Sequence, residues 1–537
     1  MRRLARYRDV RSLPTALLAV RTRPATAPLG LRLAGALIAA AAILPLAYLV
    51  IVIGGSTADA WDAIWRERTG SLVLRSLGLT IAVTLTAIAT AVPVAWLTVR
   101  TDLPGRRIWA VLLTLPLVIP SYIGAYALIS ALGPSGLAAD LLGVTELSSI
   151  SGFPGAWLAL SLVTYPYVLL PVRAGLRRLD PQLEEAALGM GRSPSEVFRT
   201  VVLPQLRPAI GAGGLLVALY VLSDFGAVSI MRFDSFTTSI YTSYQASFDR
   251  TAAAALSALL VLLMFVILCL EARSRSTDAL YRSVPGSQRE ARIVRLRIWR
   301  APAIAFCGFV AALALLVPVA VLVYWSFQSV AGNVDAGEIA AAAGNSLLAA
   351  GICAAVAGIC AIPVAVLSVR FRGRFSSSVE RLTYIGHALP GIVVALALVF
   401  FGTRVVIALY QSLGMLIFAW VVLFLPLAVG VVRASLLQVS PRIEEAARSL
   451  GRSQLNAMGT VTVPLMTGGI LAGSALVFLT AIKELPATLI LGPTGFETLA
   501  TEIWSATGSG FFEGAAIPAL ILLAVSAGPL YLLAVRE

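Results

Sequence analysis

A single lysine, Lys483, stands among 537 residues, and Glu484 follows it. A phosphate-cradling P-loop requires lysine followed by serine or threonine. The chain therefore carries no Walker A loop and is read as a non-enzyme. The one histidine, His387, argues against a histidine metal cluster or a His-based triad and reads as a packed or interfacial residue. Cys269, Cys307, Cys353 and Cys360 lie in apolar runs without a C-x-x-C pair. They read as small apolar filler, and no metal site is expected. What remains is carboxylates in unusual places. Glu184-Glu185 and Glu444-Glu445 are matching acidic pairs, one in each half of the chain. Asp224 and Glu484 are another match at the same offset.

The elements that position these groups are apolar. The chain is 58% hydrophobic and 13% charged, with a mean hydropathy of +0.89. A soluble domain carries about 25% charged residues. A helix of about 20 apolar residues crosses the hydrocarbon. The sequence predicts about twelve such spans: 31–53, 74–99, 108–131, 154–175, 208–231 and 252–271, then 301–325, 346–369, 382–402, 412–433, 468–491 and 514–535. The fold class is an all-α membrane protein. The basic N-terminal stretch precedes what reads as a full span rather than a cleaved signal segment.

Arginine placement orients the spans. One alternating set of loops holds Arg2 to Arg32, Arg100, Arg106, Arg107, the cluster from Arg173 to Arg199, and Arg273 to Arg300. It continues through Arg370 to Arg381 and Arg433 to Arg452, while the opposite loops hold Asp59, Asp62, Asp140, Glu146, Asp234, Glu338, Glu497 and Glu502. By the positive-inside rule both termini are cytoplasmic. The net charge of +14 is then topogenic and faces anionic lipid, so no nucleic-acid partner is expected.

The chain is a duplication. Pro93 matches Pro363 and Pro120 matches Pro390 at one common offset, whereas Pro166 matches Pro426 at a slightly shorter one. The organisation is a basic segment 1–30, a six-helix repeat 31–271, an Arg-rich linker 272–300 and a second repeat 301–537. An even number of spans per repeat makes the repeats parallel.

The acidic pairs open two polar stretches, EEAALGMGRSPSEVFRTVVLP and EEAARSLGRSQLNAMGTVTVP. Asp180-Pro181 and Ser440-Pro441 supply an N-cap and a proline in the first turn. Gly191 and Gly451 suit left-handed helix ends. Ser193 to Glu196 reads as a capping box that starts a second short helix, closed by Pro204 or Pro464. Two such surfaces at matching positions suit a two-fold partner.

Asp224 and Glu484 lie about sixteen residues into the fifth span of each repeat, roughly 24 Å deep at ~1.5 Å per residue. Charge there suggests a pathway, although a structural ion pair or an interfacial charge would also account for it. Gly226 and Pro486 are counterparts beside them, and Pro486 predicts a kink or gate. With Lys483 these form the candidate pathway. Tyr241, Tyr244 and Trp504 read as an interfacial aromatic belt.

The pattern E-A-A-x3-G-x9-I-x-L-P resembles the signature loop of permease subunits in binding-protein-dependent ABC importers. It reads Glu185-Ala186-Ala187, Gly191, Val201, Leu203-Pro204 and, again, Glu445-Ala446-Ala447, Gly451, Val461, Val463-Pro464. The resemblance implies the type I importer permease fold in a bacterial inner membrane, with each loop acting as a coupling helix in a cleft of a separate ATPase. It implies two ATPase copies, which carry the ATP and Mg, and an extracytoplasmic substrate-binding protein. This chain would bind no cofactor. The double layout is most similar to iron(III) permeases and, more distantly, to those for thiamine, aminoethylphosphonate, sulfate or polyamine. An ion-coupled secondary transporter and a non-transporting scaffold are the alternatives from other classes.

Overall fold

The computed structural model describes residues 27–55, 67–133, 136–137, 143, 150–274, 293–331, 335–371 and 373–534. The expectations for segment 1–26, for Asp59, Asp62, Asp140 and Glu146, and for linker segment 275–292 lie outside it, as does the side chain of His387. The first repeat comprises α1 (Leu29–Gly55), α2 (Glu67–Arg100), α3 (Arg106–Leu112), α4 (Ser121–Leu132), α5 (Gly152–Arg178) and α6 (Pro181–Gly189). It continues with α7 (Pro194–Val197), α8 (Leu203–Ser223), α9 (Gly226–Ile230), α10 (Phe236–Gln245) and α11 (Arg250–Ser274). The second comprises α12 (Arg300–Ala311), α13 (Val317–Ala331), α14 (Ala336–Arg370), α15 (Arg374–Ile385), α16 (Gly391–Arg404), α17 (Leu413–Gln438) and α18 (Pro441–Ser449). It ends with α19 (Gln454–Ala457), α20 (Val463–Leu465), α21 (Thr467–Ala481), α22 (Pro486–Leu491), α23 (Leu499–Gly508) and α24 (Phe512–Ala534).

Not every expected span is one straight helix. Among the described residues eight helices are long and apolar enough to cross a membrane, and two more candidates are pairs bent by 96° and 67°. The third span of each repeat is broken by proline. Pro120 precedes α4 and Pro390 precedes α16, each at the N-cap, where a missing N–H costs nothing. The fifth spans stop early, at Ser223 and Ala481, and resume as the short helices α9 and α22.

Small residues set the packing. Ala87, Ala91 and Ala95 of α2, and their counterparts Ala357, Ala361 and Ala365 of α14, are fully buried. In lipid, such i, i+4 alanine stripes let backbones approach where no hydrophobic driving force separates helix from solvent. They bring α2 against α5, and α14 against α17.

The repeat boundaries do not coincide with packing boundaries. α1 packs on α15 and α16 of the second repeat, and α13 packs on α4 of the first and on α24. At Gly35 an added Cβ would lie 2.3 Å from Leu367 Cδ1, so glycine is what lets α1 lie this close. Tyr48 meets Phe401 edge-on at 5.6 Å. Each repeat is thus completed by part of the leading span of the other.

Candidate coupling loops and translocation pathway

Both signature loops fold as their residue types dictate. Asp180 Oδ1 accepts the Gln182 amide at 2.9 Å, capping α6 ahead of Pro181. Ser440 occupies the equivalent position without a side-chain cap, contrary to expectation: a shorter hydroxyl replaces the aspartate. Gly191 (φ 83°) and Gly451 (φ 88°) adopt the expected left-handed conformation. Around them the amides of Gly191 and Arg192 donate to the carbonyls of Leu188 and Ala187, and those of Gly451 and Arg452 donate to Arg448 and Ala447. This is a complete Schellman ending in each copy. Ser193 Oγ and Ser453 Oγ then cap α7 and α19 at 3.3 Å. Of the capping box expected at Ser193, only this half is found among the described bonds.

Each second helix widens into a π turn, Phe198–Val202 or Met458–Thr462, just before Pro204 or Pro464. A π turn absorbs the amide that proline cannot supply. Ala187 and Ala447 face inward, while Glu185, Glu445, Ala186 and Ala446 are exposed. Large apolar side chains lie open beside them: Leu183 and Met190 on the first loop, Ile443 and Leu450 on the second. Glu184 and Glu444 turn the other way. Glu184 pairs with Arg100 at the end of α2, and Glu444 Oε1 accepts from Arg370 Nε at 2.8 Å at the end of α14.

Asp224 and Glu484 are both in use as helix caps. Asp224 Oδ1 accepts the amides of Ala227 (3.0 Å) and Val228 (3.4 Å), and the Ser121 hydroxyl donates to Oδ2. Glu484 accepts the Ala487 amide on Oε1, and the Thr488 amide, the Thr488 hydroxyl and Trp420 Nε1 on Oε2, all between 3.0 and 3.1 Å. Each carboxylate therefore satisfies the free amides of the short helix that follows the break. That offsets the cost of a charge at this depth. Both are buried, so neither presents a free oxygen to a passage here. Pro486 occupies the first turn of α22, and the break expected there is real. Gly226 lies against Tyr122, where an added Cβ would come within 2.8 Å of the tyrosine Cβ. Lys483 and its counterpart Ser223 are half-buried at the breaks.

The aromatic residues assigned to a belt behave differently. Ser235 with Thr238, and Thr498 with Thr501, form two capping boxes beyond those expected from the sequence. Aligning the two boxes makes Tyr241 and Trp504 counterparts. These two rings meet edge-on at 5.9 Å between the repeats. Phe225 packs on both, and Trp504 Nε1 donates to Ser229 Oγ at 3.2 Å. The cue is the repeated S/T-x-x-T spacing, visible only once a further small slip after the fifth span is allowed.

Twin loops at matching positions of a duplicated helical bundle define a membrane permease. The chain belongs to the family of binding-protein-dependent transport system inner membrane components, which it matches twice, over residues 87–274 and 356–535. It is a multi-pass membrane subunit of an ABC importer, and membership implies a separate ATPase and a substrate-binding protein as partners. It is 35% identical over 475 residues, 88% of this chain and 91% of the relative, to the Fe(3+)-transport system permease protein FbpB 2 of Haemophilus influenzae. The sulfate transport system permease protein CysT of Salmonella typhimurium is 28% identical over 43% of this chain and 87% of its own length. The molybdenum transport system permease protein ModB of Escherichia coli is 33% identical over 29% of this chain and 68% of its own length.

Proposed function

We propose that the chain is the fused membrane subunit of an iron(III) importer. The observation that carries this is the 35% identity to an Fe(3+) permease across both repeats, where the sulfate and molybdenum relatives cover less than half of the chain. The signature loops face the cytoplasm, as the arginine bias requires. Each is gripped by one of two ATPase copies, which bind ATP and Mg; this chain, with no Walker A loop, binds neither. A loaded binding protein docks on the outer loops.

The passage runs between the repeats, along the contact of Tyr241 and Phe225 with Trp504. In this reading Asp224 and Glu484 hold the breaks open as hinges, with Gly226 and Pro486 fixing their geometry, and Lys483 lines the passage. ATPase closure draws the coupling loops together and parts the Tyr241–Trp504 contact. The test is purification of the chain with its ATPase and binding protein, followed by ATP-dependent uptake of ferric iron into proteoliposomes. Iron uptake that requires the binding protein supports the reading. Uptake of sulfate but not iron, or uptake driven by an ion gradient without ATP, would sink it. Glu185→Lys reverses an exposed charge on the docking helix and should abolish uptake while leaving membrane insertion intact.

A further inference from the structure

Each coupling helix is held to the transmembrane bundle by few contacts. α6 packs chiefly on α7 and the π turn of its own loop, and α18 on α19 and the π turn of its own. Reaching back from the bundle are Arg100 and Arg370, the last residues of α2 and α14. They are counterparts at the longer repeat offset, and they pair with counterparts at the shorter one, Glu184 and Glu444. The same pair is thus built twice across the slip in the repeat. Arg370 Nη2 also donates to the Val439 carbonyl at 2.8 Å, at the chain's entry to the second loop.

Both arginines sit at helix C-termini, where a cation is favoured by the helix dipole. Both glutamates sit in the first turn of the coupling helix, where an anion is favoured. Each pair therefore joins two helix ends of complementary charge. Arg100 is almost wholly buried, yet its Nε and Nη1, and Glu184 Oε1, have no hydrogen-bond partner among the described residues. With its other donors unpaired, the buried Arg100 guanidinium is anchored by Glu184, so parting the two would strand a buried charge.

We infer that Arg100 and Arg370 are positioning residues for energy coupling: they make each coupling helix move as one body with the second span of its repeat. The importer reading underlies this inference. An ATPase that pulls on α6 or α18 then moves α2 or α14 directly. Without the pair, the loop pivots on its own ends and the pull is dissipated.

The experiment uses the full chain with its ATPase in proteoliposomes and a binding protein loaded with ferric iron as the probe. Phosphate release is measured with and without the loaded binding protein, together with iron trapped per phosphate. Arg370→Gln should keep basal hydrolysis, lose its stimulation by the binding protein, and trap about tenfold less iron per phosphate; the charge-swapped pair Arg370→Glu with Glu444→Arg should recover most of that loss. Arg100→Gln should behave alike. If the single variant does not assemble, the charge swap decides, because restored assembly with no restored stimulation overturns the inference. Unchanged stimulation and unchanged iron per phosphate in both glutamine variants overturn it as well. A wild-type complex that imports no iron breaks the importer reading instead, so the two failures are separable.

Discussion

Behind the first coupling loop, Arg100 is 1% exposed, and Trp96 lies 5.6 Å beneath its guanidinium while meeting Phe198 of the loop edge-on at 4.8 Å. Behind the second, Arg370 is 11% exposed, and Val366 and Met458 stand where Trp96 and Phe198 would be. The end of α2 behind the first loop also has a strap. The Val294 amide donates to the Arg100 carbonyl at 2.8 Å, and the Asp102 amide donates to the Val294 carbonyl at 3.2 Å. Asp102 then accepts the Leu296 amide at 2.8 Å and pairs with Arg300 at 2.9 Å. These contacts use the end of the inter-repeat linker, which the second loop cannot have. Two copies of one loop have thus kept a matching exposed surface and diverged in how firmly the bundle holds it. In the proposed importer, the face shown to a two-fold partner would be constrained by that partner's symmetry, whereas the face shown to the bundle is free to follow the chain's asymmetry.

The largest expected effect should not distinguish the loops. Gly191→Pro or Gly451→Pro forces a negative φ where φ is 83° or 88° and deletes an amide of the Schellman turn. Either variant should fail to retain the ATPase on affinity purification; retention by one of the two would show that a single loop suffices. Next, Arg100→Gln should destabilise more than Arg370→Gln. Removing one partner of a buried pair costs about 3–5 kcal/mol, and the cost falls as the pair gains access to solvent, so the 1% exposed Arg100 should cost more than the 11% exposed Arg370. Thermal unfolding in detergent compares them, and equal shifts would erase the difference in burial as an explanation. Trp96→Ala should cost about 1–2 kcal/mol through lost ring and cation contacts, with no counterpart effect from Val366→Ala beyond its methyls. Val294→Pro removes one strap bond, worth about 1 kcal/mol. Amide exchange over the segment 100–106 should then rise while that over 370–376 stays unchanged. Smallest is acid. The Leu296 amide, with Arg300, holds the Asp102 carboxyl below its usual 3.8. Its contribution is therefore present above that value and lost only as pH falls through the depressed one, so the protection of the strap amides, relative to their intrinsic exchange rates, should be flat near neutrality.

The coupling loops are legible in the sequence because their structure is local. Proline, N-cap and glycine positions dictate hydrogen bonds within a few residues, and all form as expected but the Ser440 cap, the Glu196 half of the box and the helix end at Pro204, where the π turn carries the helix on to Ser223. The spans are legible as segments but not as straight helices: hydropathy sums over Pro120 and Pro390 without registering that each restarts a helix. Asp224 and Glu484 stand out by their cost in lipid, yet their use as caps is hidden, because the amides they satisfy become free only once the fifth span breaks. The latching role of Arg100 is masked by its membership in an arginine-rich loop, where charge alone predicts topology. The exchange of α1 and α13 leaves no trace in the sequence, since a lipid-facing and a helix-facing alanine stripe read the same.

That exchange bears on how the chain is made. α1 leaves the ribosome well before the surface it rests on, α15 and α16, which is synthesised only after the rest of the first repeat and the linker. Through most of translation it must wait in lipid without its berth, a greasy helix with few polar marks to attract a wrong neighbour. Severing the gene between the repeats would turn this pause into a search for a second polypeptide, so the fusion itself guarantees that the two late-meeting pieces arrive together and in equal number.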